Sequence, residues 1–292
     1  MLRLKLAHIL VLVGGLGACQ SSDPTDHDQF VLGKALFEDG RFSADGKISC
    51  ASCHRPEHAF ADTLPRSIGA FGRETRRNTP TLWGLPTDLP LMADGGVPPL
   101  RSGSLSVLAA LTAHGDMAFD PRSLNQKLKA YPMYHQLLGR LYPSTDPASA
   151  YLLTLHRYLL DLSEQGRQAS TGNTPLDPPL VAKGKALFEG EAGCFRCHNG
   201  EGKTDGAFYN LALENRTKEE GRAAITLKEE DRGRLRTPVL RNLGKTAPYF
   251  HDGQAATLRN VLEHYQHGAG EAGRWQGDSL QKEALLAYLL TL

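Results

Sequence analysis

The sequence predicts a mainly α-helical protein built from two similar modules in tandem, and three observations lead to this fold class. Apolar residues recur at helical spacing, while few segments alternate as strands do. The hexapeptide GKALFE occurs at 33–38 and again at 184–189, and each copy precedes a Cys-x-x-Cys-His pentapeptide. A polar stretch rich in Gly, Pro and Ser at 163–179 separates the two copies. We therefore predict a first domain at 29–165, a linker at 166–179 and a second domain at 180–292.

The composition of the chain is typical of a globular protein. Its 292 residues are enough for one large domain or two of ordinary size, and 40% of them are hydrophobic. The formal net charge is +1, with 22% charged residues. Such a surface has no excess of basic residues to neutralise phosphates, so the charge suggests neither nucleic acid nor acidic lipid as a partner.

The N-terminal segment 1–18 predicts an export signal rather than a part of the fold. A short basic region precedes the apolar run 9–16, which leads into Leu-Gly-Ala-Cys, with Cys19 last. This arrangement resembles a bacterial lipoprotein signal peptide, in which Cys19 becomes the acylated first residue of the mature chain. The polar segment 19–28 would then tether the protein to a bacterial membrane. A plain secretory peptide, with Cys19 incidental, is the alternative.

Four helices follow from apolar spacing and capping signals. Each copy of the repeat predicts the first helix of its module, because apolar residues recur at helical spacing and a glycine soon follows. The residues of the two apolar faces are Val31, Ala35 and Leu36 in the first copy and Val181, Leu187 and Phe188 in the second. A leucine-rich segment at 148–162 predicts a buried helix near the end of the first domain. Asp278, with Gln281 three residues later, predicts a capping box for a last helix at 278–292.

The cysteines carry the strongest chemical signal. There are five, and once Cys19 is set aside the other four form two Cys-x-x-Cys-His motifs. Two local disulfides or one tetrahedral zinc site would use the same cysteine spacing. A histidine directly after the second cysteine, however, is the signature of c-type haem attachment, in which both thiols join the porphyrin and the imidazole binds the iron. The sequence therefore predicts two tandem cytochrome c-like haem domains with covalently bound haem c, one held by Cys50, Cys53 and His54 and the other by Cys194, Cys197 and His198.

The second haem has no methionine in its own half of the chain for the remaining axial position. All four methionines precede His198, so nothing after it can supply a thioether ligand. The residues alone leave His251, His264, His267, a tyrosine such as Tyr249 or Tyr265, or a lysine. A tyrosinate would be an anionic, hard donor that stabilises ferric iron and lowers the reduction potential.

Several longer motifs resemble the bacterial dihaem cytochrome c peroxidase family, including its methylamine-utilisation (MauG-like) branch. They are the GKALF-to-CASCH opening, Ser-Ile-Gly at 67–69, RNTPTL at 77–82 and, most specific of all, RTPVLRNLGKTAPYFHDGQAATL at 236–258; the resemblance covers nearly all of 29–292. It implies a peroxide-binding N-terminal haem, an electron-transfer C-terminal haem and a calcium ion between the domains. It also implies Tyr265 as the second protein ligand of the C-terminal iron, with His264 or His267 as the rival. Asn78, Thr246 and Pro248 match the calcium site, whose ligands would be oxygen atoms.

Ala70 departs from the pattern of this family. Many members carry a histidine in the loop after Ser-Ile-Gly that blocks the first iron until the other haem is reduced. With alanine there, we expect a five-coordinate N-terminal haem that is open to peroxide in the resting state. The alternative is that His58, Met92 or His114 closes the site.

Ala93 is a second departure. Family members usually have a tryptophan at this position, which lies between the haems and aids electron exchange. Its absence puts tight coupling of the two haems in doubt. Trp83 is near in sequence, although a packing role suits it better.

Asp116 is the candidate acid/base. Cleavage of the peroxide O–O bond needs a group that removes a proton from one oxygen and delivers it to the other. The family uses a glutamate followed by methionine, and Asp116-Met117 is the corresponding pair, one methylene shorter. The resemblance thus implies Asp116 in this role, whereas as a bare sequence feature a loop aspartate is more often a cap or turn residue.

The predicted function is reduction of hydrogen peroxide by a periplasmic, lipid-anchored enzyme. Electrons would come from a small cytochrome c or cupredoxin and pass through the C-terminal haem to the N-terminal one. Two alternatives stay open, namely MauG-like oxidation of a partner protein and a dihaem electron carrier without peroxide chemistry. No nucleic acid is expected as a partner, and a homodimer is compatible with the resemblance.

Overall fold

The computed structural model describes residues 26–113, 115–169, 177–213 and 218–292. The predicted signal peptide, Cys19, most of the predicted tether and His114 lie outside the described residues. Within the described ranges, no helix is both long enough and apolar enough to cross a membrane.

The described chain is mainly helical, which confirms the predicted fold class. A two-residue antiparallel pair, β1 (Phe208–Tyr209) and β2 (Leu235–Arg236), pairs Phe208 with Arg236 and Tyr209 with Leu235. The helices are α1 (Asp26–Glu38), α2 (Ser104–Ala113), α3 (Leu124–Lys129), α4 (Pro132–Leu141), α5 (Pro147–Gln168), α6 (Pro178–Glu189), α7 (Ala223–Thr226), α8 (Leu258–His267) and α9 (Ser279–Leu289).

The repeated glycine of GKALFE lies where the first helix of each module crosses its partner helix. Helix α1 packs against α5, and α6 packs against α9. A Cβ atom on Gly33 would come within 2.6 Å of the Tyr158 Cβ atom, and one on Gly184 would collide with the carbonyl oxygen of Ala284. These close crossings therefore depend on the absence of a side chain at both positions.

The repeated phenylalanine packs against a tyrosine of the partner helix in both modules. The ring of Phe37 lies 5.3 Å from that of Tyr158, and the ring of Phe188 lies 5.2 Å from that of Tyr288, measured between centroids. Each pair is part of the hydrophobic core of its own module. The two modules thus share not only a sequence repeat but also the packing that the repeat produces.

The helix predictions agree with the structure except for one residue of the apolar face predicted for α1. Val31 is 50% exposed, so its predicted place on the apolar face of α1 is wrong. The buried face is formed by Leu32, Leu36 and Phe37, because a helix turns about 100° per residue and Val31 lies on the outer side of this stripe. The capping box at the start of α9 is confirmed, with Asp278 accepting from the Gln281 backbone N–H at 2.7 Å.

The two halves of the chain meet across a buried group of charges. Arg77 donates to both carboxylate oxygens of Glu219, at 2.8 and 2.7 Å, and to Asp94 at 2.8 Å. The side chains of all three are 9% exposed or less. A backbone bond of 2.7 Å from the N–H of Arg236 to the carbonyl of Ala93 joins the same surfaces.

Candidate active site

The N-terminal Cys-x-x-Cys-His motif forms a compact turn that fixes its histidine. A short 3-10 helix spans Cys50–Ser52, and the backbone N–H of His54 donates to the carbonyl of Cys50 at 2.8 Å. The Nδ1 atom of His54 lies 2.9 Å from the carbonyl oxygen of Phe60, which can only accept, so Nδ1 carries the proton. Desolvation lowers the pKa of His54, and the neutral ring presents its unprotonated Nε2 as a metal ligand.

The C-terminal motif repeats this geometry. A 3-10 helix spans Cys194–Arg196, the His198 N–H donates to the carbonyl of Cys194 at 2.9 Å, and Nδ1 donates to the carbonyl of Lys203 at 2.9 Å. Desolvation lowers the pKa of His198 as well. A hydrogen bond on Nδ1 that orients the ring and frees Nε2 is the usual arrangement around a metal-bound histidine.

The four cysteines fit haem attachment better than zinc or disulfide chemistry. All four are free thiols in the structure, and the described residues contain no group of three or more His, Cys, Asp or Glu that could hold a metal ion. Desolvation raises the pKa of Cys50 to about 12 and that of Cys194 to about 11, so burial disfavours an ionised sulfur at both positions. A thioether to a porphyrin is uncharged, so attachment removes this cost.

A carboxylate that the sequence reasoning missed lies beside each motif. Buried Asp62 accepts from the Ser67 hydroxyl at 2.5 Å and acts electrostatically on His54. Asp205 accepts from the Tyr209 hydroxyl at 2.8 Å and acts in the same way on His198. The sequence contains an aspartate eight residues after one histidine and seven after the other, and the difference of one residue breaks the match between the two copies.

Asp116 and Ala70 are brought together by the backbone. The N–H of Ala70 donates to the carbonyl of Asp116 at 2.7 Å, and a Cβ atom on Gly69 would collide with that carbonyl oxygen. After desolvation, the charges of Asp62 and Asp116 contribute to raising the pKa of Cys53. Asp116 therefore lies in the surroundings of the N-terminal haem-attachment motif, next to Ala70.

Tyr265, His264 and His267, three of the candidates predicted for the second iron, have different surroundings. Desolvation raises the pKa of Tyr265, and the thiols of Cys194 and Cys197 add to the increase, so its hydroxyl lies in the surroundings of that motif. The Nε2 atom of His264 already donates to the carbonyl of Leu211 at 2.9 Å. His267 is exposed, and its Nδ1 lies 2.8 Å from a carbonyl of its own helix.

The residues matched to the calcium site lie in two segments that meet between the halves. The backbone N–H of Asn78 donates to the carbonyl of His251 at 2.7 Å, and its Nδ2 donates to the carbonyl of Leu64 at 3.0 Å, which leaves Oδ1 as an acceptor. Thr246 and Pro248 precede His251 in the same loop.

Ala93 lies on the interface between the halves, where its carbonyl accepts from the backbone N–H of Arg236. Met92, one of the alternative ligands of the first iron, precedes it, and its carbonyl accepts from Arg236 Nε at 3.2 Å. Trp83 packs against Phe60, with 6.0 Å between ring centroids, and Lys245 Nζ lies 5.7 Å from the centroid of its ring.

Comparison with known proteins gives a consistent result. Residues 27–177 match the family model described as di-haem cytochrome c peroxidase. The chain is 31% identical to the methylamine utilization protein MauG of Methylorubrum extorquens, covering 93% of this chain and 80% of that protein. It is also 31% identical to the cytochrome-c peroxidase IdrP2 of Denitromonas iodatirespirans, covering 91% and 81%. The solved structure of a MauG-like protein associated with microbial copper homeostasis is similar with a TM-score of 0.71, at 26% identity over 92% of this chain and 90% of that one.

Proposed function

The chain belongs to the di-haem cytochrome c peroxidase family, and on this basis we propose that its N-terminal haem reduces hydrogen peroxide with Asp116 as the acid/base. It is an oxidoreductase acting on peroxide, and its cofactors are two haem c groups. The haem supplies the redox chemistry, and the protein residues hold it and move protons. The proposal is carried by the backbone hydrogen bond from the Ala70 N–H to the Asp116 carbonyl, together with the electrostatic effect of the Asp116 carboxylate on Cys53.

The proposed role of Asp116 is proton transfer between the two peroxide oxygens. Reduction of hydrogen peroxide to two water molecules consumes two electrons and two protons. A carboxylate beside the bound peroxide takes the proton of one oxygen and returns it to the other, which then leaves as water. Its side chain is one methylene shorter than the family's glutamate, so a water molecule can complete the distance.

Access to this site follows from the residue at position 70. Ala70 is 1% exposed and carries no group that can bind iron. In the family members that block the first iron, a histidine stands in this loop. We infer that the N-terminal haem of this chain needs no prior reduction of the other haem before it accepts peroxide.

The C-terminal haem is proposed to receive electrons, with His198 and Tyr265 as its protein ligands. The desolvated hydroxyl of Tyr265 beside the two thiols supports this assignment over His264, whose Nε2 is engaged. The electron donor is a small cytochrome c or a cupredoxin. MauG-like oxidation of a partner protein is the second candidate function, favoured by the identity with the Methylorubrum protein.

We also propose a calcium ion between the domains and a lipid anchor at Cys19. The free Oδ1 of Asn78, together with the carbonyls of Thr246 and Pro248, supplies the hard oxygen donors that calcium prefers. Members of the family are generally periplasmic, and lipidation of Cys19 would retain this chain at a membrane facing that compartment. A homodimer is compatible with this placement.

Substitution of Asp116 tests the proposed function. Asp116→Asn should lower kcat for peroxide by about 10²–10⁴-fold, because an amide cannot accept the proton. The measurement is peroxide consumption with a chemical electron donor, together with the haem content of the same sample. Asp120→Asn is the matched control, since Asp120 lies in the same loop, is bonded to Arg122, and an asparagine keeps its capping acceptor.

Two results would contradict the proposal. Undiminished turnover in Asp116→Asn would remove this residue from the acid/base role. A wild-type protein that carries both haems yet consumes no peroxide would leave the dihaem electron carrier as the function.

A further inference from the structure

Tyr134 forms a hydrogen-bonded pair with a carboxylate at the edge of the N-terminal core. It lies on α4 and is 5% exposed, and its hydroxyl donates to Asp39 Oδ2 at 2.8 Å. Arg41 binds the same carboxylate through Nε, at 2.8 and 3.0 Å. The Arg41 guanidinium lies 4.1 Å from the ring centroid of Tyr131, which is partly exposed. The phenol therefore has an acceptor for its proton already in place.

Aromatic rings connect this pair with the haem-attachment cysteine Cys50. Tyr151 is 1% exposed, and after burial, which is the main cause, the Cys50 thiol contributes to raising its pKa. The ring of Phe42 lies 4.8 Å from that of Tyr151 and 5.8 Å from that of Tyr134, between centroids. Tyr151, Phe42 and Tyr134 thus form a continuous row of rings through the core, from Cys50 towards the surface.

The charges around the pair favour transfer of the phenolic proton when the ring is oxidised. Burial alone would raise the pKa of Asp39, but the hydrogen bonds from Arg41 and Tyr134 lower it, so the carboxylate is ionised. Burial and then Asp39 raise the pKa of Tyr134, so the phenol keeps its proton in the resting protein. A phenol that has lost an electron is a strong acid, and the 2.8 Å bond offers it a direct path to a base.

We propose that Tyr134 is a redox-active tyrosine that supplies an electron for peroxide reduction, which rests on the proposed function of the N-terminal haem. Hydrogen peroxide takes up two electrons and two protons to give two water molecules. Tyr134 supplies one electron through Phe42 and Tyr151, and the haems supply the other. The O–H bond of Tyr134 breaks and a new O–H bond forms on Asp39, while solvent provides the protons for water. The electron donor of the proposed function returns the electron by way of the haems, and Asp39 returns the proton.

The test is electron paramagnetic resonance of the oxidised holoprotein, frozen after mixing with peroxide in the absence of an electron donor. We expect an organic-radical signal that narrows when the protein is grown with ring-deuterated tyrosine. Tyr134→Phe should abolish this signal, and Asp39→Asn should diminish it because the amide is a poor proton acceptor. Haem content and thermal unfolding of each variant establish that it is folded.

Tyr158→Phe is the matched control. Tyr158 is buried and also lies near Cys50, and burial raises its pKa to about 12, but its ring packs against Phe37 outside the proposed row. Its substitution should leave the signal in place. A signal of wild-type intensity in Tyr134→Phe, or peroxide consumption by the wild type without a tyrosine radical, overturns the inference and leaves the proposed function standing. Absence of peroxide consumption in the same mixture overturns both.

Discussion

Tyr265 and His264 are neighbours on α8, and their surroundings differ in how readily each side chain could bind a metal ion. An ionised Tyr265 is unfavourable by itself, because desolvation and then the nearby thiols raise the pKa of its hydroxyl. A ferric ion bound to that oxygen would supply the missing positive charge and stabilise the tyrosinate. His264 donates to a carbonyl instead, so it would have to give up this bond before its Nε2 could bind a metal.

Tyr265→Phe is therefore predicted to change the visible spectrum of the C-terminal haem and to raise its reduction potential, because loss of an anionic ligand destabilises the ferric state. Spectroelectrochemistry of the holoprotein measures both effects. His267→Gln is the control, since His267 is exposed on the same helix, and it should leave the spectrum unchanged. An unaltered spectrum in Tyr265→Phe would pass the ligand role to His264 or His267.

Residues in local motifs could be predicted from the sequence, whereas pairs that depend on the fold could not. The spacing of Cys50, Cys53 and His54 is enough to predict haem attachment, because the three residues lie in one turn. Asp39 and Tyr134 are 95 residues apart and meet only because α4 packs beside the turn that follows α1. No spacing rule connects them.

Among the helices, the repeat GKALFE is explained by the partner helix that packs across each copy, α5 on α1 and α9 on α6. Its glycine permits close contact with the partner helix, and its phenylalanine packs on a tyrosine of that helix. The sequence predicted the helices but not these crossings, since helical periodicity reports which face is apolar and not what approaches it. The error at Val31 has the same origin, because a valine counted as core on hydrophobicity alone lies outside the packed stripe.

Gly184→Ala is predicted to destabilise the C-terminal module by about 1–3 kcal/mol, because the added methyl group must push α6 away from α9. Besides colliding with the carbonyl of Ala284, it would lie 2.8 Å from the Cβ atom of Tyr288. Denaturant unfolding of the holoprotein measures the free energy. Gly139→Ala, on α4, is the control: its Cβ atom meets nothing within 4 Å. It should stabilise the helix by about 0.5–1 kcal/mol. Equal stability of the two variants would contradict the proposed crossing.

Across the whole molecule, the buried group formed by Arg77, Asp94 and Glu219 joins the two domains. Arg77 and Glu219 are 142 residues apart, and neither belongs to a motif that would have paired them. The sequence predicted two domains but not how they dock. Removal of one member of such a group leaves an uncompensated buried charge, so the docking is sensitive to the ionisation of Glu219.

This sensitivity predicts how stability varies with pH. Burial opposes ionisation of Glu219, but Arg77 outweighs it and lowers the pKa from 4.5 to about 2. A carboxyl group whose pKa is lower in the folded state contributes stability above its unfolded pKa, and the contribution declines as the pH falls from 4.5 towards about 2. The free energy of unfolding of the wild type should therefore fall more steeply across this window than that of Glu219→Gln, which has no proton to gain at this position. Denaturant titrations at several pH values measure the slopes. Glu230→Gln is the control, because this glutamate is exposed, and its free energy of unfolding should vary with pH as steeply as that of the wild type. If the free energies of unfolding of Glu219→Gln and the wild type vary with pH in parallel, the ion pair of Glu219 does not hold the domains together.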